Sequence, residues 1–135
     1  MFSNPQIKIL LSIYYLNKNG LSANNKTIAS LLEISESSIS RLSKQLQTDG
    51  IIQKAFKGEL LIAPASKHIL EPIIEKYTKS RNFLMYSLKI DDKTAHTDAM
   101  HMTLFSSDLS VDTLSSKAEK LTVYLKKAQV YSMYP

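Results

Sequence analysis

The chain contains no cysteine, which excludes disulfides, thiol catalysis and cysteine-ligated zinc together. No apolar run approaches the roughly 20 residues that a membrane span requires. The opening segment, MFSNPQIKILLSIYYLNK, is a poor secretory leader, because no basic residue precedes its apolar run and Lys8 interrupts it. There is no glycine-rich phosphate loop, no nucleophile elbow and no acid pair with an evident local partner, and no serine stands beside a histidine in a recognisable motif. The seven tyrosines and four phenylalanines are spread at core-like spacing rather than gathered into a stacking platform for single strands. These absences predict a cytoplasmic protein that is not an enzyme and has no membrane partner.

What is present is a chain of 135 residues, 44% of them apolar, enough to pack one ordinary domain or two small units sharing a core. The charge is uneven. Residues 1–82 carry eleven Lys/Arg against six Asp/Glu, whereas residues 83–135 carry six of each. All the surplus positive charge therefore lies in the first part, where it fits an anionic partner, nucleic acid being the commonest. The bland alternative is charge that serves solubility alone.

Hydrophobic spacing divides the chain into helices and one hairpin. Ile7, Leu10, Leu11 and Tyr14, widened by Ile13 and Leu16, predict an amphipathic helix over 5–18, with Pro5 in its first turn and Asn19-Gly20 at its end. Asn24 or Asn25 caps a second short helix, KTIASLLE. Ser35 caps a third, which runs to about Thr48 with Glu36 near its positive end, and Asp49-Gly50 stops it. IIQKAF, a turn at Lys57-Gly58 and ELLIA read as a hairpin closed by Pro64. Helices are then expected over 65–88, 91–104 and 111–130, with the terminal YSMYP frayed.

Asn25 to Leu46 carries the strongest signal. Two helices that cross steeply need a small residue at the crossing, here Ala29, and inward apolar residues, here Ile28, Leu32, Ile39 and Leu42, with Ile34 plugging the turn. Glu33 stands where such turns usually hold glycine. Ser35, Ser37, Ser38, Ser40, Arg41 and Lys44 are left facing outward, short hydroxyls and cations suited to a major groove and its phosphates. The hairpin follows at the spacing of a wing. Lys26, Arg41, Lys44, Lys54 and Lys57 are the expected phosphate contacts, and base reading rests on Ser37, Ser38 and above all Arg41, through guanine. Any helical hairpin with a serine-rich face would share part of this pattern; the ordered set with a wing is more specific.

The run ASLLEISESSISRLSKQLQTDGIIQKAFKGELLIA, the helix after it and LKIDDKTAHTDA together resemble the iron- and manganese-dependent repressors of the diphtheria-toxin-repressor family, especially the shorter manganese-transport-regulator branch. The resemblance spans roughly residues 7–107. It includes IYYL at 13–16, Ser37-Ser38-Ile39, the Lys57-Gly58 turn and the helix starting at Asp91. It implies a mainly α protein: a winged helix-turn-helix DNA-binding domain, residues 1–64, followed by an all-helical dimerisation domain, residues 65–135. It also implies a homodimeric repressor on an inverted repeat of double-stranded DNA. The metal ligands that the resemblance leads one to expect are replaced, by Lys8 and Leu11 in the first helix, Tyr77 or Thr78 in the long helix, and Met100, Thr103 and Leu104 later. Only His96 falls on a position the family sometimes uses. A protonated Lys8 would repel a dication, so no cofactor is expected. Were manganese or iron bound, His96, Asp98 and His101 would be the candidate ligands, against a plainer reading of solvated histidines and core-packing methionines. His68 is expected to be simply exposed.

In the second half, Ile69, Ile73, Ile74, Tyr77, Phe83, Leu84 and Leu88 are expected to be buried, partly against a second copy. Two other classes stay open. One is a winged-helix module that binds proteins without reading DNA. The other is a ligand-sensing regulator of the multiple-antibiotic-resistance type, whose usual Asp-Arg-rich wing is missing here.

Overall fold

The computed structural model describes the backbone of residues 1–132 and the side chains through Lys120 and at Lys127. The chain forms two compact units, residues 1–72 and 73–135, and each is described by itself. It is a winged helix followed by a helical unit.

In the first unit, α1 (Asn4–Lys18) starts at a reciprocal cap. The Ser3 hydroxyl accepts from the Gln6 backbone N–H, and the Gln6 side chain accepts from the Ser3 N–H. It ends at Asn19, followed by Gly20 at φ +67°, a left-handed position that glycine occupies without strain. The expected stripe was too narrow. Ile9 and Tyr15 are 0% and 7% exposed, whereas Ile7 and Tyr14 are only half-buried. The reason is that α1 packs against α2 (Asn25–Leu32), α3 (Glu36–Thr48) and the wing at once, so most of its circumference is core.

The α2–α3 pair is set by its ends. Asn24 caps α2 by accepting from the Thr27 N–H, and Ser35 caps α3 by accepting from the Ser38 N–H. Between them Glu33 takes the left-handed conformation, φ 56° and ψ 44°. Ile28, Ala29 and Ile39 are buried as the spacing predicts; Leu46, not among the residues expected inside, is buried as well, while Leu32 and Leu42 are only half-buried.

The wing is shorter than the two apolar runs. Strands β1 (Ile52–Lys54) and β2 (Leu60–Ile62) pair antiparallel, Ile52 opposite Ile62 and Lys54 opposite Leu60. Ala55 N–H donates to Glu59 O at 2.6 Å, and Phe56–Gly58 tightens into a 3-10 turn, so the ladder stops before Phe56.

The long helix expected over 65–88 is three pieces. A 3-10 turn at Pro64–Ser66 leads into α4 (Lys67–Asn82), which continues into a wider π-type turn at Phe83–Ser87. In the second unit Tyr77, Ser80 and Leu84 are buried at helical spacing on α4 and its continuation. Helix α5 (Asp92–Phe105), capped by Asp91, and α6 (Asp108–Ser132) both pack on that π-type segment. Ile69 and Leu88, expected to be buried partly against a second copy, are 49% and 54% exposed in the single chain. Of the terminal YSMYP, Tyr131 and Ser132 belong to α6, and the remaining three residues lie outside the described ones.

Candidate nucleic-acid interface

Helix α3 divides cleanly by face. Ile39, Ser43 and Leu46 point into the core, at 0%, 1% and 0% exposure. Ser37, Arg41 and Lys44 are exposed, and their spacing of four and then three residues aligns them as one stripe along the helix. A hydroxyl, a guanidinium and an ammonium thus follow one another on the solvent side. Gln45, which the sequence reading passed over, is exposed one turn after Arg41. An amide of this kind suits the two-bond recognition of adenine. The core side is tied by Ser43, whose hydroxyl reaches Asn25 Oδ1 at 3.3 Å and Ser40 O at 3.1 Å.

The serines are not equivalent. Ser35 accepts from the Ser38 N–H at 3.2 Å and donates to Ser38 Oγ at 2.9 Å, with Ser37 Oγ 3.2 Å away. Its first task is therefore to cap α3 and hold the hydroxyls beside it. Ser38 and Ser40 are half-buried, whereas Lys26, Lys54 and Lys57 are exposed. All nine residues singled out for contact lie in the first unit.

Two features near the wing had no signal in a linear reading. Glu59 accepts from the Ala23 N–H and from the Ser22 hydroxyl, both at 2.9 Å, and Leu60 N–H donates to Ala23 O at 2.8 Å. The segment before α2 thus pairs with β2 and anchors the wing, and the Glu59 carboxylate is engaged there. The second feature is Phe56, 85% exposed, with the Lys57 ammonium 5.7 Å from its ring centroid.

A solved structure shares this architecture. The manganese regulator SloR aligns at 22% identity with a TM-score of 0.55, covering 86% of this chain and 53% of that one. This chain therefore spans about half of SloR. A hypothetical protein from Sulfolobus solfataricus aligns at 22% identity and a TM-score of 0.49, covering 88% of this chain and 91% of the other. No protein-family model and no curated protein matches the chain. The likeness to SloR is one of fold.

The second unit holds the residues named as metal candidates, and it does not bring them together. His96 is 0% exposed, while Asp98 and His101 are exposed. The expectation of solvated histidines fails for His96. Its Nδ1 lies 2.6 Å from the Tyr77 hydroxyl, and the two rings meet edge to face at 5.6 Å. Burial lowers the His96 pKa to about 4, the Arg81 guanidinium adds to the effect, and Asp92 opposes it. Arg81 is itself paired with Asp92. His101 packs beside Phe105, ring centroids 6.3 Å apart, and His68 is exposed. Among the described residues no three His, Asp or Glu are placed to hold a metal ion. At the positions where the resemblance implies ligands, Leu11 and Met100 are buried and Tyr77 is bonded to His96. These residues do not fit a divalent cation. No helix among the described residues is long and apolar enough to cross a membrane.

Proposed function

We propose that the chain is a cytoplasmic, dimeric, sequence-specific DNA-binding transcriptional regulator, a repressor by resemblance, with no catalytic step. The observation that carries this is the exposed Ser37–Arg41–Lys44 stripe on α3, backed by Ile39 and Leu46 in the core. In a winged helix such a stripe enters the major groove, while wing cations meet phosphate. Arg41 reads guanine and Gln45 adenine. Lys26, Lys44, Lys54 and Lys57 position the duplex, and Ser35 and Ser38 hold the helix N-terminus in register beneath Ser37 and Ser40.

Two copies on a two-fold axis match an inverted repeat, and the balanced charge of residues 83–135 removes a repulsive penalty for their pairing. SloR is a manganese regulator by name. For this chain we infer regulation that does not run through manganese or iron at His96, Asp98 and His101.

The test is selection from random duplex DNA, run once with EDTA and once with manganese or ferrous iron. Enrichment of an inverted repeat in EDTA supports metal-independent, sequence-specific DNA reading. Enrichment only with metal removes the metal-independent part. No enrichment in either arm removes DNA reading and favours a protein-binding winged helix. A sedimentation mass of one chain at micromolar concentration would count against the dimer.

A further inference from the structure

We propose that Phe56 is an aromatic wedge at the wing tip that inserts between stacked base pairs in the minor groove, beside the half-site faced by α3. The inference rests on the DNA-binding reading above and adds to it a residue that no base-edge argument selects. Apart from the first residue of the chain, Phe56 is the most exposed large apolar side chain among the described residues, at 85%. A phenyl ring has neither donor nor acceptor, so it cannot read a base edge. What it can do in a duplex is stack, and phenylalanine is among the side chains that wedge into base steps from the minor groove.

The wing is built to present this ring. Ala55 N–H to Glu59 O at 2.6 Å and Glu59 N–H to Phe56 O at 3.5 Å close the loop on both sides. Lys57 turns the chain through φ +63°, a left-handed conformation that a lysine adopts only at some cost. Glu59 then fastens the second strand to Ser22 and Ala23. The chemistry around the ring has one sign. The Lys57 ammonium lies 5.7 Å from the ring centroid, and the Lys54 stem passes within 3.9 Å of where a side chain at Gly58 would begin. The loop's carboxylate, Glu59, is engaged elsewhere. An apolar ring with an ammonium over its face, on a wing that carries a second lysine, matches a base stack bordered by phosphate strands.

The experiment uses the full chain and the duplex obtained by selection, with 2-aminopurine placed at successive steps flanking the half-site. Wild type should raise the fluorescence severalfold at one step per half-site. Phe56→Ala should abolish that rise and weaken binding about tenfold, the scale of one base–aromatic stack. Phe56→Leu, still an apolar wedge, should keep most of it. End-to-end energy transfer should report a bend of roughly 20–90° that Phe56→Ala relaxes. An unchanged thermal melt for Phe56→Ala keeps folding out of the comparison.

If no step brightens with wild type, or Phe56→Ala binds as tightly, the wedge is overturned. The DNA reading then stands on its own if Arg41→Ala with Lys44→Ala loses specific binding. Lost affinity without brightening in wild type places the ring against sugar and phosphate and also overturns the wedge. If wild type binds no duplex above its non-specific level, both readings fall.

Discussion

His96 makes the stability of this protein depend on pH in a calculable way. The ring is 0% exposed, bonded through Nδ1 to the Tyr77 hydroxyl, and its pKa is lowered from 6.5 to about 4, first by burial and then by Arg81. A buried imidazole with a depressed pKa stabilises the fold fully above the unfolded value, where both states are neutral. As pH falls from 6.5 towards 4 the unfolded chain takes up a proton that the folded chain refuses, so the stability is progressively lost. With 1.36 kcal/mol per pKa unit, the whole effect is about 3 kcal/mol, and roughly 2.5 kcal/mol of it has gone by pH 4.5. For a small domain holding about 5–15 kcal/mol in all, that is a large share.

Urea unfolding at pH 7.5 and 4.5 measures the effect, and His96→Asn supplies the control. Asparagine offers an acceptor near the position of Nδ1 and does not titrate, so the carboxylate contributions common to both proteins cancel in the difference. The variant should be the less stable protein at pH 7.5, yet lose about 2.5 kcal/mol less than wild type on acidification. Tyr77→Phe should cost about 1 kcal/mol at pH 7.5 through the lost hydrogen bond while keeping the wild-type pH slope, because burial remains the main cause of the shift. Equal acid losses in wild type and His96→Asn, or an imidazole titrating near 6.5 by NMR in the folded protein, would refute the reasoning.

Three further outcomes follow from the winged unit. Glu33 sits in the left-handed region at φ 56°, so Glu33→Gly should stabilise by about 0.5–1 kcal/mol in urea unfolding; a loss of stability would mean that the side chain contributes more than its backbone strain costs. Ser35→Ala removes the cap of α3 and should cost about 1 kcal/mol by the same assay, and no change would show that the cap hydrogen bond is replaced by water. A dimer neutralising about eight phosphates should show a log–log salt slope of roughly −7, and Lys44→Ala in both subunits should make it shallower by about 2; an unchanged slope would take Lys44 off the phosphate.

The parts that the sequence by itself determined are those whose causes lie within one helical turn. The cap at Ser35, a cap at Asn24 or Asn25, the helix start at Asp91, the stops at Asn19-Gly20 and Asp49-Gly50, and the alternation of Ile39 with Arg41 and Lys44 are all local. Spacing of three and four residues therefore revealed both the helix-turn-helix and its exposed stripe. The tertiary structure decided what depends on residues far apart in the chain. Tyr77 and His96 are nineteen positions apart, and only their meeting turns a histidine that read as solvated into a buried neutral ring. Glu59 and Ala23 are thirty-six apart, and their pairing fixes the wing and so the exposure of Phe56.

The same reason explains which residues the single chain covers. Ile9 and Tyr15 are buried because α1 has neighbours on several sides. Leu88 follows the π-type turn in which the long helix ends, and is exposed in the single chain. Periodicity reports which face of a helix is apolar; how many of its faces are covered, and by what, is settled only when the other elements arrive.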